Sequence, residues 1–235
     1  MTVEEVITGL EALGNEQTKK THLRHGAAEP LFGVKVGDLK KVLKKTKKNH
    51  SLALDLYATG NSDAMYLAGM MADEKVVTAA QLKKWAKQAK WSMISNYTVA
   101  GLAGETSHAL ALGQSWIDDK KELIAAAGWC TLTNYLSITP DEEIDNTLFT
   151  KLLQRVVTEI HGERNEVKAA MNGYVIALAF YVPSLTKKAR QAAAKIGKVT
   201  VDQGNTDCKT PDAIAMIDKI EEKGRIGTKR KTCRC

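Results

Sequence analysis

The sequence predicts an all-α protein built as a helical-repeat solenoid, and three observations support this prediction. Apolar residues recur three and four positions apart through nearly the whole chain of 235 residues. All four prolines fall at predicted helix boundaries, where a missing backbone N–H is tolerated. Taken in pairs, the helices give about six units of roughly 30 to 45 residues, which is typical of stacked helical hairpins. An all-α bundle remains the alternative.

Local signals mark the ends of these helices. Thr2 with Glu5, and Thr139-Pro140 with Glu142, have the spacing of helix starts. Other candidate N-caps are Ser62, Thr78, Ser92 and Thr210. The polar segment 15–25 is assigned to no helix. We therefore predict helices at 2–13, 39–48, 51–59, 63–74, 79–90, 92–103, 107–117, 120–138, 139–161, 165–182, 186–196 and 210–223. A break near Asn146 is the alternative for the helix at 139–161.

Composition narrows the class of protein. Lys and Arg number 34 against 27 Asp and Glu, which gives a net charge of +7 and a sequence pI near 9.1. This moderate excess is compatible with a nucleic-acid partner. The acidic, amphipathic N-terminus is unlike a signal peptide, and no apolar run approaches the ~20 residues that span a bilayer. We expect a cytoplasmic monomer without membrane contact.

One stretch, between Glu74 and Glu105, contains no carboxylate. It holds Trp85, Trp91 and Tyr97 together with five lysines, which are Lys75, Lys83, Lys84, Lys87 and Lys90. Cationic and aromatic side chains without acids suit a polyanion whose bases or sugars meet flat rings. The alternative is an ordinary amphipathic helix pair with Trp85 in the core.

Two further segments are strongly basic. The predicted helix at 39–48 carries Lys40, Lys41, Lys44, Lys45, Lys47 and Lys48. The tail, from residue 223 onwards, carries Lys229, Arg230 and Lys231 among glycines. Like charges at helical spacing repel each other unless an anion lies nearby. Each segment is therefore either a solvated surface or a phosphate-contacting one, and we expect the tail to be a flexible arm.

The cysteines give no clear metal site. Cys208, Cys233 and Cys235 could supply three zinc ligands with a histidine as the fourth. No paired C-x-x-C accompanies them, so unmodified thiols are the favoured interpretation. Phosphate-binding loops and hydrolase motifs are also missing from the sequence. We predict no metal and no cofactor.

Three segments resemble AlkD-type DNA alkylation repair proteins in order and spacing. FGVKVGDLKKVLKK (32–45) is similar to that family's FG-[IV]-[RK]-V-x-DL-[RK]-K signature, and AAAGWCTLTNYL (125–136) and EVKAAMNGYVIALAFY (166–181) are similar to its later helices. The resemblance covers roughly residues 15–200. It implies a HEAT-like solenoid whose concave, basic surface holds duplex DNA. Active members of the family excise cationic N3- and N7-alkylated purines without flipping the base into a pocket.

The family's functional residues transfer poorly to this chain. In the family, a tryptophan is followed four residues later by a catalytic aspartate. Trp91 matches the tryptophan, and Ser95, beside Asn96, stands at the position of the aspartate. An uncharged hydroxyl cannot stabilise the cationic sugar that develops as the glycosidic bond breaks.

Two further positions of the resemblance also differ. The family's phosphate-binding arginine falls near Leu132, after Trp129, and loses the bidentate contact of a guanidinium. Its later tryptophan falls near Gly173 or Tyr174.

These observations predict a DNA-binding protein without confident catalytic residues. We predict a HEAT-like DNA-binding domain at 1–200, followed by a helix and the basic tail at 201–235. The partner is duplex DNA, alkylated or distorted. The predicted contacts are Trp91 and the basic residues Lys40, Lys41, Lys44, Lys45, Lys47, Lys48, Lys83, Lys87, Lys90, Lys229, Arg230 and Lys231. The alternatives are an alkylpurine glycosylase with a rebuilt site and a protein-interaction scaffold.

Overall fold

The computed structural model describes residues 1–234, and within them the regular structure is entirely helical. The α-helices are α1 Val3–Ala12, α2 Glu16–Arg24, α3 Val36–Thr46, α4 His50–Ala58, α5 Ser62–Met71, α6 Ala79–Gln88, α7 Ala100–Gly104, α8 Ala109–Trp116, α9 Glu122–Ile138, α10 Asn146–Glu159, α11 Asn165–Tyr181, α12 Thr186–Ile196 and α13 Ala213–Glu222. A π-helix, Met93–Val99, leads directly into α7. Short 3₁₀ turns lie at Asp141–Glu143, Ile160–Gly162 and Pro183–Leu185.

Local hydrogen bonds explain where the predicted helix boundaries are right and wrong. The predicted start at Thr2 forms a capping box with Glu5, and the candidate N-cap Thr78 forms another with Gln81. The unassigned polar segment is helix α2, whose N-cap Asn15 accepts a hydrogen bond from the Thr18 amide at 2.9 Å. No residue of α2 is buried, so the sequence carried no apolar periodicity there. Asn61, not Ser62, caps α5.

One predicted cap does not form, and one predicted helix start is wrong. The helix predicted at 92–103 does begin at Ser92, but Ser92 makes no capping hydrogen bond where the chain enters the π-helix. The helix predicted from Thr139 begins only at Asn146, where Asp145 accepts hydrogen bonds from two backbone amides at 2.9 and 3.0 Å. The acids that looked like a first helical turn form a separate 3₁₀ turn.

The helices stack as antiparallel pairs into a HEAT-like solenoid. Helix α5, the π-helix with α7, α9, α11 and α13 follow one another as an inner row. Helices α4, α6, α8, α10 and α12 pack behind them. The buried apolar side chains form two clusters that meet on α9, where Cys130 contacts both. The predicted fold class is confirmed. Trp85 lies in the core, where its ring stacks on that of Tyr57 with the centroids 3.9 Å apart.

Two glycines set the spacing of the inner row. A Cβ added to Gly69 of α5 would lie 2.3 Å from Thr98 Cγ2 in the π-helix. A Cβ added to Gly104 of α7 would lie 2.5 Å from Asn134 Cβ in α9. Because real Cβ atoms do not approach so closely, any larger residue would push neighbouring inner helices apart.

The segment that carries the family resemblance is held by a buried acid that the sequence analysis missed. Asp63 at the start of α5 is 4% exposed. Its carboxylate accepts hydrogen bonds from the backbone amides of Phe32, Gly33 and Val34 at 2.6, 3.0 and 2.9 Å. Gly33 has a φ of +77° and lies against the backbone of Lys19. This signature therefore fixes a turn and does not supply a reactive group.

The basic tail is not a separate arm. Residues 223–234 follow the inner row and bind the carbonyl ends of its helices. The Gly227 amide donates to Phe180 O of α11 at 2.7 Å, and the Arg230 amide donates to Ser137 O of α9 at 2.7 Å. Arg234 donates to Gly69 O and Ala72 O of α5 at 3.0 and 2.6 Å. These carbonyls have no partner inside their own helices, and the nearby cations oppose the negative ends of the helix dipoles.

Arg234 also lies at the centre of a buried ion cluster. Its guanidinium pairs with Glu105 and Glu74, both at 2.6 Å, and Lys48 pairs with Glu74 at 2.7 Å. The side chains of Arg234 and Glu105 are each 9% exposed. Thr232 Oγ1 and the Cys233 amide donate to the same Glu105 carboxylate. The cluster joins the segments that directly follow α3, α5 and α7 to the tail.

Within residues 1–234, no single helix is long and apolar enough to cross a bilayer. A pair bent by 115°, Asn165–Tyr181 with Pro183–Ile196, meets the length and composition of a span. Most of the apolar side chains of this pair are buried in the protein.

We expect Arg234→Ala to lower the free energy of unfolding by about 3–5 kcal/mol, because it leaves a buried carboxylate without its cation. Urea unfolding followed by circular dichroism measures the change. Lys231→Ala, an exposed cation in the same segment, is the control and should stay within about 0.5 kcal/mol of the parent. Equal effects of the two substitutions would contradict the buried cluster.

The same cluster predicts acid sensitivity. Burial alone would raise the pKa of Glu74, but hydrogen bonds from Lys48 and Arg234 outweigh it and lower the pKa from 4.5 to about 2. Burial would also raise the pKa of Glu105, but its interactions with Thr232 and Arg234 outweigh burial and lower that pKa. A lowered folded-state pKa stabilises the protein above the ordinary pKa, and this contribution disappears as the pH falls toward the folded-state value. The stability difference between the parent and Glu74→Gln should therefore shrink between about pH 4.5 and about pH 2 in urea titrations. A difference that does not change with pH would contradict this assignment.

Candidate nucleic-acid interface

A cleft of about 970 Å³ opens on the inner row of helices. One wall comes from the end of α2 and from the π-helix, and the opposite wall comes from α9 and α11. The loop at 201–204 closes one side, and the tail, through Arg230 and Cys233, forms another rim. The cleft is therefore assembled from both halves of the chain.

Trp91 is fixed in the wall of this cleft. Its indole Nε1 donates a hydrogen bond to His25 O at 2.8 Å, and the residue is only 6% exposed. The centroid of the His22 ring lies 5.1 Å from that of the indole, and the two ring planes are inclined by 45°. Burial lowers the pKa of His22, although Asp63 partly opposes the shift. The indole N–H is already used and little of the ring is exposed, so Trp91 is a fixed, mostly buried part of the cleft wall.

The position expected to hold the catalytic acid faces away from the cleft. Ser95 is fully buried, and its hydroxyl donates to Leu123 O at 2.5 Å. Ser95 does not line the cleft, whereas its neighbours Ser92 and Asn96 do. These residues lie in or beside the π-helix, a distortion that is frequent at functional sites.

The other two transferred positions have separate environments. Leu132 is fully buried in the core, while the next residue, Thr133, lines the cleft. Gly173 is exposed on the cleft wall. Tyr174 is buried, and its hydroxyl donates to Phe149 O at 3.0 Å, so its ring does not replace a cleft aromatic.

The cleft does contain a carboxylate, which the sequence analysis missed. Glu166 of α11 lines it, and burial together with the neighbouring Glu122 raises the pKa of Glu166, while Ser92 opposes the shift through a hydrogen bond. The Glu166 amide is held by Glu122 Oε1 at 2.7 Å. Glu166 is far from Trp91 in the chain, so no local spacing could have indicated their proximity.

Three polar atoms on the cleft wall are buried without a hydrogen-bond partner. They are His22 Nδ1, Asn96 Oδ1 and Thr133 Oγ1. Buried polar groups in native proteins are nearly always paired. Half of the six such side-chain atoms among the described residues therefore belong to this one cleft.

The lysines predicted to contact DNA lie outside the cleft. Those on α3 and near α6 are exposed, and none of them is among the described residues that line the cleft. Lys41 pairs with Asp38 at 2.7 Å, and Lys48 belongs to the ion cluster. Within residues 1–234, no ion pair forms at the other predicted lysines of this region, which are Lys40, Lys44, Lys45, Lys47, Lys83, Lys87 and Lys90.

The tail cations differ from one another. Lys229 is held by Leu136 O, Tyr181 O and the Asp141 carboxylate at 3.1, 2.7 and 2.9 Å, so its ammonium serves the fold. Arg230 is exposed at the rim of the cleft, and Lys231 is exposed beside it.

The candidate metal ligands are not brought together within the described residues. Cys208 is exposed in the loop before α13, whereas Cys233 is buried with its thiol donating to Asn134 O at 3.3 Å. Cys235 lies outside the described residues. No group of three or more His, Cys, Asp or Glu suited to a metal occurs in residues 1–234.

Comparisons with known proteins agree with the helical fold. Residues 6–201 match the DNA alkylation repair enzyme family. Lin0241 of Listeria innocua and Lmo0209 of Listeria monocytogenes, both described as uncharacterized proteins, are each 34% identical over 229 residues, or 95% of this chain and 99% of theirs. A solved structure described as "a new family of proteins related to the HEAT-like repeat DNA glycosylases with affinity for branched DNA structures" is 37% identical over the whole of both chains, with a TM-score of 0.93.

The environment of Ser95 predicts that an acid cannot simply be restored there. Ser95→Asp would place a carboxylate against the Leu123 carbonyl in a fully buried site, and we expect destabilisation of about 3 kcal/mol or more. Ser95→Ala, which removes one hydrogen bond, should cost about 1 kcal/mol. Urea unfolding of both variants measures the difference. Equal stabilities of Ser95→Asp and Ser95→Ala would contradict the buried position of the Ser95 hydroxyl against Leu123 O.

Proposed function

Because the chain belongs to the DNA alkylation repair enzyme family, we propose that it binds branched or distorted duplex DNA and does not excise alkylated bases. The observation that carries the second half of this proposal is Ser95. The family's acid position holds a buried hydroxyl bonded to Leu123 O, and such a group cannot oppose the charge of a departing glycosyl cation.

The first half of the proposal is supported by the charge distribution and by the solved relative. The relative is described as having affinity for branched DNA structures, and it matches this chain over its full length. The exposed lysines of α3 and α6 form few ion pairs, and they would release counterions on meeting phosphates. We assign phosphate contacts to Lys40, Lys44, Lys45, Lys47, Lys83, Lys87 and Lys90, with Lys41, Lys48, Arg230 and Lys231 as further members, and we assign Trp91 to the branch point.

One observation favours a second candidate function, an alkylpurine glycosylase with a rebuilt site. Glu166 lines the same cleft as Trp91, so an acid from α11 would replace the one missing after Trp91. Its raised pKa weakens this candidate, since a neutral carboxyl group stabilises a cation poorly. Excision abolished by Glu166→Gln but unaffected by Ser95→Ala would establish it.

We also propose a cytoplasmic location and a monomer as the DNA-binding form. Cys130, Cys208 and Cys233 are unpaired thiols, which fits a reducing compartment.

The proposal predicts salt-dependent binding through the lysines. Fluorescence anisotropy with a four-way junction and with a matched duplex, at several salt concentrations, should show tighter binding to the junction. Reversing Lys44, Lys45 and Lys87 to glutamate removes about three phosphate contacts and should lower the salt slope by about 2–3. The matched control reverses Lys187, Lys188 and Lys195, three exposed lysines of α12.

Two outcomes would overturn this function. Salt-insensitive or absent binding to every DNA would remove the nucleic-acid partner. Release of N7-methylguanine or N3-methyladenine by the parent protein, well above the spontaneous rate, would restore base excision and direct attention to Glu166.

A further inference from the structure

We propose that Tyr97 recognises the branch point of a branched DNA, by stacking its ring on the base pair left open where the arms separate. This inference rests on the proposed DNA binding and adds a specificity-determining residue to it. A continuous duplex offers such a ring no free face, because each base pair inside it is stacked on both sides. A branch point interrupts the stacking and leaves the outer face of a base pair uncovered, and every base has a face on which a ring can stack.

Exposure distinguishes this ring from the other aromatic side chains. Tyr97 is 65% exposed, and every other Phe, Tyr and Trp within residues 1–234 is buried or half-buried. Trp91, on the same wall of the cleft, is 6% exposed and presents little of its ring. Single exposed apolar side chains are common on protein surfaces. The position, the support and the surrounding charge of Tyr97 separate it from these.

Tyr97 stands on the inner row of helices, between two depressions of that surface. It lines the large cleft. It also lines a small pocket on the side of α5 and the tail, together with Tyr66, Met70 and Arg234. Tyr97 therefore forms a ridge between the two depressions. A ring on such a ridge can meet the flat end of a DNA arm, which a ring buried in the wall cannot.

The backbone that carries Tyr97 is held on both sides of it in the chain. The Ser95 hydroxyl donates to Leu123 O at 2.5 Å. Thr98 packs against Gly69 of α5, where an added Cβ would clash with the Thr98 side chain. Ser95 and Thr98 are both buried. Stacking therefore has to order only the two side-chain torsions of Tyr97, which keeps its entropic cost low.

The charges around Tyr97 also suit DNA. Residues 75–104, which include the whole π-helix, contain no Asp or Glu. Arg24 is exposed at the end of α2 on the same wall of the cleft, and Arg230 is exposed on the tail at its rim. Guanidinium groups that line the same cleft as an exposed ring can bind the phosphates beside an open base pair.

Junction binding by the full-length protein tests this role. The probes are a three-way junction and a continuous duplex, and hairpin loops close every arm so that only the junction has uncovered base pairs. In fluorescence anisotropy, Tyr97→Ala should bind the junction about tenfold more weakly than the parent, a loss in the range of stacking on one base. Its affinity for the duplex should not change. Tyr97→Phe keeps the ring and should bind both DNAs as the parent does.

A fluorescent base reports the stacking directly. The junction carries 2-aminopurine in the base pair beside the branch point, and a second junction carries it within an arm. The parent should quench the probe beside the branch point and leave the probe in the arm unchanged. Tyr97→Ala, at a concentration that saturates the junction, should quench neither probe.

Two controls exclude a structural or an electrostatic effect. Val76→Ala shortens another exposed apolar side chain, which lies outside the cleft, and should leave both affinities unchanged. Thermal unfolding verifies that each variant folds. Because stacking releases no counterions, Tyr97→Ala should keep the salt slope of the parent on the junction. A lower slope would mean that Tyr97 acts through phosphate contacts and would overturn the inference.

The outcomes separate this inference from the proposed function. If the parent binds no DNA, both fail. If the parent prefers the junction and Tyr97→Ala keeps that preference, DNA binding stands and the role of Tyr97 is overturned. An equal loss of affinity for junction and duplex, or a Tyr97→Phe variant as weak as Tyr97→Ala, would also overturn it. A loss confined to the junction, absent in Tyr97→Phe and accompanied by the loss of quenching, establishes it.

Discussion

The Arg234–Glu105 ion pair is the contact on which the cleft side of the molecule depends. The inner helices α5, α9 and α11 end along the path of the tail, where their last carbonyls need partners. The tail supplies backbone amides, a lysine and an arginine to these carbonyls, and it meets the end of α7 through the Glu105 carboxylate. Glu105 accepts from three consecutive tail residues, Thr232, Cys233 and Arg234. A charge so buried is tolerated only with such complete pairing, and this pairing fixes the rim of the cleft.

Sequence reasoning succeeded where the controlling interactions are local. The capping boxes at Thr2 and Thr78 need only residues three apart, and the HEAT-like architecture follows from apolar spacing and the family resemblance. It failed where partners are distant in the chain. The tail looked like a solvated arm because its acceptors, at Glu105 and on α9 and α11, are recognisable only after folding. Glu166 and Asp63 were missed for the same reason.

The family resemblance and the proposed absence of base excision are compatible, because they depend on different residues. The FGV turn is kept by the three amides that bind Asp63 and by the close packing of Gly33. Those contacts position α3 against α5 whatever happens in the cleft. Ser95 instead bonds to the backbone of Leu123, so the position that the resemblance assigns to the acid is a packing contact between two helix pairs. The contacts that hold the family's fold signature are therefore separate from the residues of the cleft.

Charge placement divides the proposed DNA surface into two parts. The cleft wall carries Arg24 and Arg230 but also Glu166 and Asp202, so it has no formal excess of positive charge to attract phosphates. The excess lies outside, on the exposed lysines of α3 and α6. Phosphate contacts provide affinity and salt dependence but carry no sequence information directly. On the proposed function, the exposed lysines therefore supply affinity, and the cleft, with its balanced charge, is left to distinguish a branched from an intact duplex.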